Sequence, residues 1–186
     1  PCRDPDAETG HNDDFGVMPA EITDEQLLAH VPEWHFAAYR ARYPSASEPL
    51  AAGQTLLVEA ADTVTSAPEL VRLTLNLAMT HTDATRSVYG KRLVYGGHTI
   101  AIASKQLAMG LPHILQILAW YRCDHVGPVF EGDVLSSQIT IKETQKVQDA
   151  TVAKLAVEVF AKRGPEAPSD LPDAKVLDWS LAVLLP

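Results

Sequence analysis

The sequence predicts an α+β protein in which a largely antiparallel sheet follows a single central helix. Two observations carry this expectation. From Ile114 onwards the chain divides into four stretches of strand character, Ile114–Cys123, Val134–Glu143, Thr151–Ala161 and Lys175–Leu184, joined by turn-rich connections. Ahead of them, Gly96–Met109 places the small or apolar residues Ile100, Ala101, Ser104, Leu107 and Ala108 at helical spacing. A helix with so many small side chains can approach a sheet closely, and a run of strands after one helix favours α+β over an alternating parallel design.

Taken in order, Pro1–Pro19 carries Asp4, Asp6, Glu8, Asp13 and Asp14 with little apolar content and reads as a polar arm. Thr23 followed by Asp24, Glu25 and Gln26 has the form of a helix N-cap with an acidic first turn. Leu27, Leu28 and Val31 then form an apolar stripe that Pro32 stops. A second amphipathic piece, Trp34–Tyr43, is closed by Pro44 and a Ser/Pro stretch, so residues 1–50 read as an arm and short helices laid against a domain at 51–186. Gln54–Val64 has strand composition. Pro68–Met79 spaces Leu70, Val71, Leu73 and Leu77 at helix-like intervals, with helix and strand both open over Val71–Leu77.

Gly110-Leu111-Pro112 ends the central helix. In the second long strand, Val134, Ser136, Gln138, Thr140 and Lys142 alternate with Leu135, Ile139 and Ile141, and Ser137 interrupts the apolar set. Gly127-Pro128 through Asp133 forms one turn and Gly164–Asp173 the last connection.

A formal net charge of −9 argues against a broad nucleic-acid footprint, so an anionic ligand must meet a local basic cluster. Two cysteines, Cys2 and Cys123, are too few for a disulfide framework or a four-thiolate metal site, and His113 and His125 have no zinc-ligand spacing. No stretch has the roughly 18–20 consecutive apolar residues of a membrane span, and the acidic start is unlike a signal peptide, so a cytoplasmic protein is expected.

The chemically informative stretch is Asn76-Leu-Ala-Met-Thr-His81-Thr-Asp83, followed by Leu93-Val-Tyr95-Gly96-Gly97-His98 at the start of the central helix. Histidine is the residue type that exchanges protons near neutral pH. The free N–H groups of a glycine-opened helix, at the positive end of its dipole, can hold a carbonyl oxygen that gains negative charge.

This loop, the glycine-bearing helix start and Val129-Phe-Glu-Gly-Asp133-Val-Leu135 entering a strand resemble the MaoC-like hydratase/dehydratase family of hot-dog proteins over about Gln54–Leu185. In the (R)-specific enoyl-CoA hydratases of that family the segment reads Asp-x-Asn-Pro-Ile/Leu-His. His81 matches the histidine, Asn76 stands where those enzymes have Asp, and Ala78-Met79 replaces Asn-Pro. The Asn-x-x-x-x-His-x-Asp pattern is closer to the mesaconyl-CoA and itaconyl-CoA hydratases and the 3-hydroxyacyl dehydratases. The resemblance implies a curved antiparallel sheet around the central helix, pairing into homodimers or higher homo-oligomers, and an acyl-CoA substrate with no cofactor beyond its own CoA. It further implies hydration of a short, branched or dicarboxylic enoyl-CoA, with His81 exchanging the proton, Asn76 orienting water and the Gly96 or Gly97 N–H stabilising the thioester oxygen.

Each assignment has a structural counterpart. His81 reads also as a helix-end histidine, Asn76 as a cap, and Asp83 as an N-cap rather than a group that orients His81. Tyr95 reads as a pocket wall or as packing, and His98 as packing. Arg86, Lys91 and Arg92 form the best basic cluster, either a solvated loop or the contact for CoA phosphates or a second substrate carboxylate. Trp120, Arg122, Asp124 and His125 read as a buried ion pair or a dimer contact. Two other functions fit such a fold: an acyl-CoA thioesterase, with Asp83 the one obvious carboxylate, and a non-catalytic hot-dog subunit completing a partner's site.

Overall fold

The computed structural model describes residues 22–186, so the acidic arm and Cys2 lie outside the described residues. Two short helices come first, α1 (Asp24–Leu28) and α2 (Phe36–Arg42), then a 3-10 turn at Pro44–Ser47. The expected cap is present: Thr23 and Gln26 form a reciprocal capping box at α1. β1 (Thr55–Thr63) leads to α3 (Ala67–Leu73), short 3-10 turns at Met79–His81 and Ala84–Arg86, and the central helix α4 (Gly96–Gly110). β2 (Gln116–His125), β3 (Val134–Val147), β4 (Ala150–Lys162) and β5 (Ala174–Leu185) complete the chain.

The five strands form one sheet in the order β1-β3-β4-β5-β2, with every neighbouring pair antiparallel. α4 lies on its concave side. Thr99, Ala103, Gln106 and Leu107 are the buried positions of the helix, and they face Leu135, Ile139, Ile141, Leu155 and Val157. Gln106 donates from Nε2 to Asp62 on β1 and to the Leu135 carbonyl at 2.9 Å, and Lys105 pairs with Asp62, which fixes the helix rotation. Asp62 is held below the usual carboxylate range by these bonds, that from Lys105 first.

The opposite face of the sheet is covered by the N-terminal helices. Leu27 and Phe36 bury against Ala150, Val152, Ala182 and Leu184 in a second cluster, and Lys154 bridges Asp24 and Glu143, which pushes its ammonium pKa up to about 12. Burial of a Leu or Phe side chain is worth about 1.5–3 kcal/mol, enough to hold helices too short to be stable alone.

Three readings are corrected. Ser137 continues the buried face of β3 rather than breaking it. β3 runs on past Glu143 to Val147, because a register shift between Ile141 and Glu143 moves the polar residues without ending the pairing. The Arg122–Asp124 ion pair is exposed, not buried.

Candidate active site

The loop that carries Asn76 and His81 is built by backbone hydrogen bonds. α3 ends in a Schellman motif: Asn76 N–H reaches Val71 O at 3.1 Å and Leu75 N–H reaches Arg72 O at 3.3 Å. Leu75 takes the left-handed position (φ 54°) that glycine usually fills, a strained conformation adjoining Asn76. Asn76 Oδ1 then accepts the Ala78 N–H at 2.8 Å, so one face of its amide holds the turn. His81 follows on its 3-10 turn, with its N–H on Ala78 O.

The His81 side chain has a defined orientation. Its Nδ1 lies 2.9 Å from the Leu93 carbonyl oxygen, an acceptor only, so Nδ1 carries the proton and Nε2 is left with its lone pair. Leu93 N–H bonds to Thr80 O and Val94 N–H to Val129 O, which ties the His81 loop through one extended segment to the turn before β3. The His81 ring meets the Tyr95 ring edge-on at 5.9 Å between centroids.

Tyr95 is the N-cap residue of α4 and makes no side-chain cap bond. Its ring lies on Gly97, where a Cβ would sit 2.5 Å from Tyr95 Cε1. Gly96 is covered in the same way by His125, whose Nε2 would lie 2.5 Å from a Cβ at that position. The glycine pair thus leaves room for two rings laid on the first turn of the helix. His81, Tyr95, Gly96 and Gly97 form one contiguous group, with His125 as a member that the sequence did not reveal. Its signal was indirect: paired glycines imply bulky neighbours, but the neighbour comes from the far end of β2.

The remaining nominated residues lie to one side. Asp83 caps the 3-10 turn Ala84–Arg86, its Oδ1 accepting from Thr85 N at 2.9 Å and Thr85 Oγ1 at 2.7 Å, and these bonds hold its carboxyl below the usual range. Asp83 and Arg92 line a cavity of about 740 Å³ together with Lys91, Glu131 and Glu166. Arg92 faces Glu131 at 3.5 Å and Lys91 faces Glu166 at 3.8 Å, so three carboxylates there outweigh two cations. Arg86 is exposed and has no ion-pair partner among the described residues.

His98, in the first turn of α4, has a buried Nδ1 without a hydrogen-bond partner, and burial holds its pKa below the ordinary 6.5 against the opposing pull of Glu131. A histidine pKa depressed by folding contributes stability that is complete above 6.5 and is lost as pH falls through the folded-state value. The melting temperature of the wild type is therefore expected to fall more steeply below pH 6.5 than that of His98→Leu. Parallel pH profiles would contradict it.

The sheet wrapped on α4 makes this a hot-dog fold, and solved structures agree. A Mycobacterium tuberculosis protein with a double hot-dog fold, described as essential for bacterial survival during infection, is 38% identical and superposes with a TM-score of 0.70 over 97% of this chain and 53% of its own. A MaoC domain dehydratase of Chloroflexus aurantiacus shares the fold at 22% identity, with a TM-score of 0.73 over 91% of this chain and 54% of its own. The chain is thus similar to hot-dog proteins that include MaoC-like dehydratases. Among curated proteins, the mesaconyl-CoA hydratase of Cereibacter sphaeroides is 34% identical over 96 residues, which is 51% of this chain and 28% of that enzyme. The chain thus spans under a third of that curated relative and about half of the two structural ones. No family model matches the sequence. Among the described residues no helix is long and apolar enough to cross a membrane, and no cluster of His, Cys, Asp and Glu is arranged to hold a metal.

Proposed function

We propose that the chain is the hot-dog unit of an enoyl-CoA hydratase, acting in the reverse direction as a 3-hydroxyacyl-CoA dehydratase, in the cytoplasm. The observation that carries this is His81, whose Nδ1–H is committed to the Leu93 carbonyl while Nε2 makes no hydrogen bond among the described residues and the ring meets that of Tyr95, the N-cap residue of α4. In the hydration direction Nε2 takes a proton from water as its oxygen bonds to the β-carbon of the enoyl thioester. The electron pair of the double bond moves to the thioester oxygen as an enolate, held by the Gly96 and Gly97 amides that have no acceptor within the helix. His81 then returns the proton to the α-carbon, so one molecule of water is added and the histidine is regenerated. Asn76, with Oδ1 engaged by Ala78, offers its NH2 group to orient the water. The mechanism calls for no cofactor besides the CoA of the substrate.

The similarity to mesaconyl-CoA hydratase supports a short, branched or dicarboxylic acyl group of the mesaconyl or itaconyl type. A thioesterase would use a carboxylate to activate water, and the carboxylate offered, Asp83, already holds two hydrogen bonds from Thr85. Loss of enoyl absorbance across a panel of enoyl-CoA substrates tests the reading. Release of free CoA from saturated acyl-CoA without hydration of any enoyl-CoA would replace it with the thioesterase.

Of the basic cluster, Arg86 is the cation free to meet CoA phosphate or a second substrate carboxylate, since Lys91 and Arg92 face acidic partners. Arg86→Glu should raise KM more than it lowers kcat, because such binding is equal in ground and transition states. Arg92→Glu should act the same way but less, through its Glu131 contact. A KM indifferent to Arg86→Glu and to ionic strength would remove the anion role.

The same reading includes pairing with a second hot-dog unit. Leu77 is 85% and Val88 93% exposed on the segments that flank His81, and β1 and β2 are open sheet edges. Light scattering at micromolar concentration should give the mass of at least two chains, and a monomer would count against pairing.

A further inference from the structure

We propose that His125 is a second hydrogen-bond donor to the acyl oxygen, its Nε2–H acting beside the Gly96 and Gly97 amides. The inference rests on the hydratase reading and adds a residue to it. Gly96 and Gly97 have ordinary negative φ within α4, so the backbone alone does not ask for glycine at either place. What occupies the space of a side chain at Gly96 is the His125 imidazole, with Nε2 at 2.5 Å and Cε1 at 2.9 Å from where a Cβ would stand. The nitrogen edge of the ring, rather than its carbon edge alone, therefore lies against the helix turn whose first N–H groups are free.

The backbone of His125 is fixed by the sheet. The residue is the last of β2, in register with Leu177 of β5, and the next residue bonds back through Val126 N–H to Val176 O at 3.0 Å. Neither nitrogen of its ring has a hydrogen-bond partner among the described residues, which leaves the donor available to a ligand. The residue is exposed, yet partial desolvation of the ring shifts its pKa down, against the opposing charge of Asp124, which favours the neutral ring with a single N–H. Such a donor suits an enolate oxygen: it stabilises the charge as it forms and keeps its proton, while His81 alone shuttles the proton that is added.

A packing role and a donor role predict different substitutions to be tolerated. His125→Phe retains a ring over Gly96 and deletes the donor, whereas His125→Gln retains an amide N–H near the position of Nε2. With the full protein and its best enoyl-CoA substrate, His125→Phe is expected to lower kcat about 100-fold with KM changed less than about threefold, the usual consequence of losing one donor to a developing oxyanion. His125→Gln is expected to recover at least about a tenth of the wild-type kcat. Melting temperatures measured alongside separate loss of the donor from loss of the fold. Wild-type kcat in His125→Phe, or equal losses in folded Phe and Gln variants, overturns the assignment alone. Absence of turnover by the wild type on every enoyl-CoA overturns the hydratase reading and this assignment with it.

Discussion

His81→Ala is expected to lower kcat for enoyl-CoA hydration by about 100- to 10,000-fold, the range that general acid–base assistance supplies. The effect on the fold should be small. His81 is partly exposed, and the hydrogen bond its side chain makes is the one to Leu93 O, worth about 0.5–1.5 kcal/mol. The Leu93 segment keeps its backbone bonds to Thr80 and Val129 without the imidazole. Asn76→Ala should cost less activity than His81→Ala if the amide only orients water. Asn76→Asp keeps an oxygen for the Ala78 N–H and places a carboxylate where the (R)-specific hydratases have one, so it should retain or raise activity. Steady-state kinetics with melting curves on the three variants check this, and wild-type hydration by His81→Ala would return the chain to the thioesterase or the non-catalytic reading.

How much of this was legible in the sequence depends on the range of the interaction that decides each feature. Elements set by local pattern were readable: α4 from its spacing of small and apolar residues, the cap at Thr23, and four strands whose boundaries moved by a few residues. Val71–Leu77 resisted because its apolar residues do not share one burial. Val71 packs in the core while Leu73, Leu75 and Leu77 are exposed, so periodicity there mixes a core signal with a surface one. The end of β3 was hidden by a register shift that interrupts the alternation without interrupting the ladder. Of the candidate site residues, Asn76, His81 and the glycine pair stood out because they are close in sequence. His125 did not, since its contact with Gly96 exists only once β2 is folded beside α4. The basic segment was legible as charge, but its neutralisation by Glu131 and Glu166 comes from distant turns.

Asp133→Ala is expected to destabilise the chain by about 3–5 kcal/mol, the cost of leaving one member of a buried ion pair without its partner. Asp133 is fully buried and Arg163 is 9% exposed, with Arg163 Nη1 donating to Asp133 Oδ2 at 2.8 Å. The carboxylate also accepts from Phe130 N at 3.0 Å and Gly164 N at 2.8 Å, and the guanidinium donates to Pro128 O and Pro172 O, each at 2.9 Å. Three turns are joined in this way. Gly164 has room only for hydrogen, because a Cβ there would overlap the Gly132 carbonyl. At about 2–4 °C per kcal/mol for a domain of this size, the melting temperature should fall by roughly 6–20 °C. Asp133→Leu combined with Arg163→Met should recover the part of that loss due to the uncompensated charge, but not the part due to the Phe130 and Gly164 N–H groups left without an acceptor. The clamp also bears on the site, because Val129 O holds Val94, and the adjoining Leu93 O orients His81. The folded double variant should therefore lose kcat through a misplaced imidazole even where stability is regained. Calorimetry and hydration kinetics on the same samples decide it: an unshifted melting temperature for Asp133→Ala would show that the clamp does not hold these turns together.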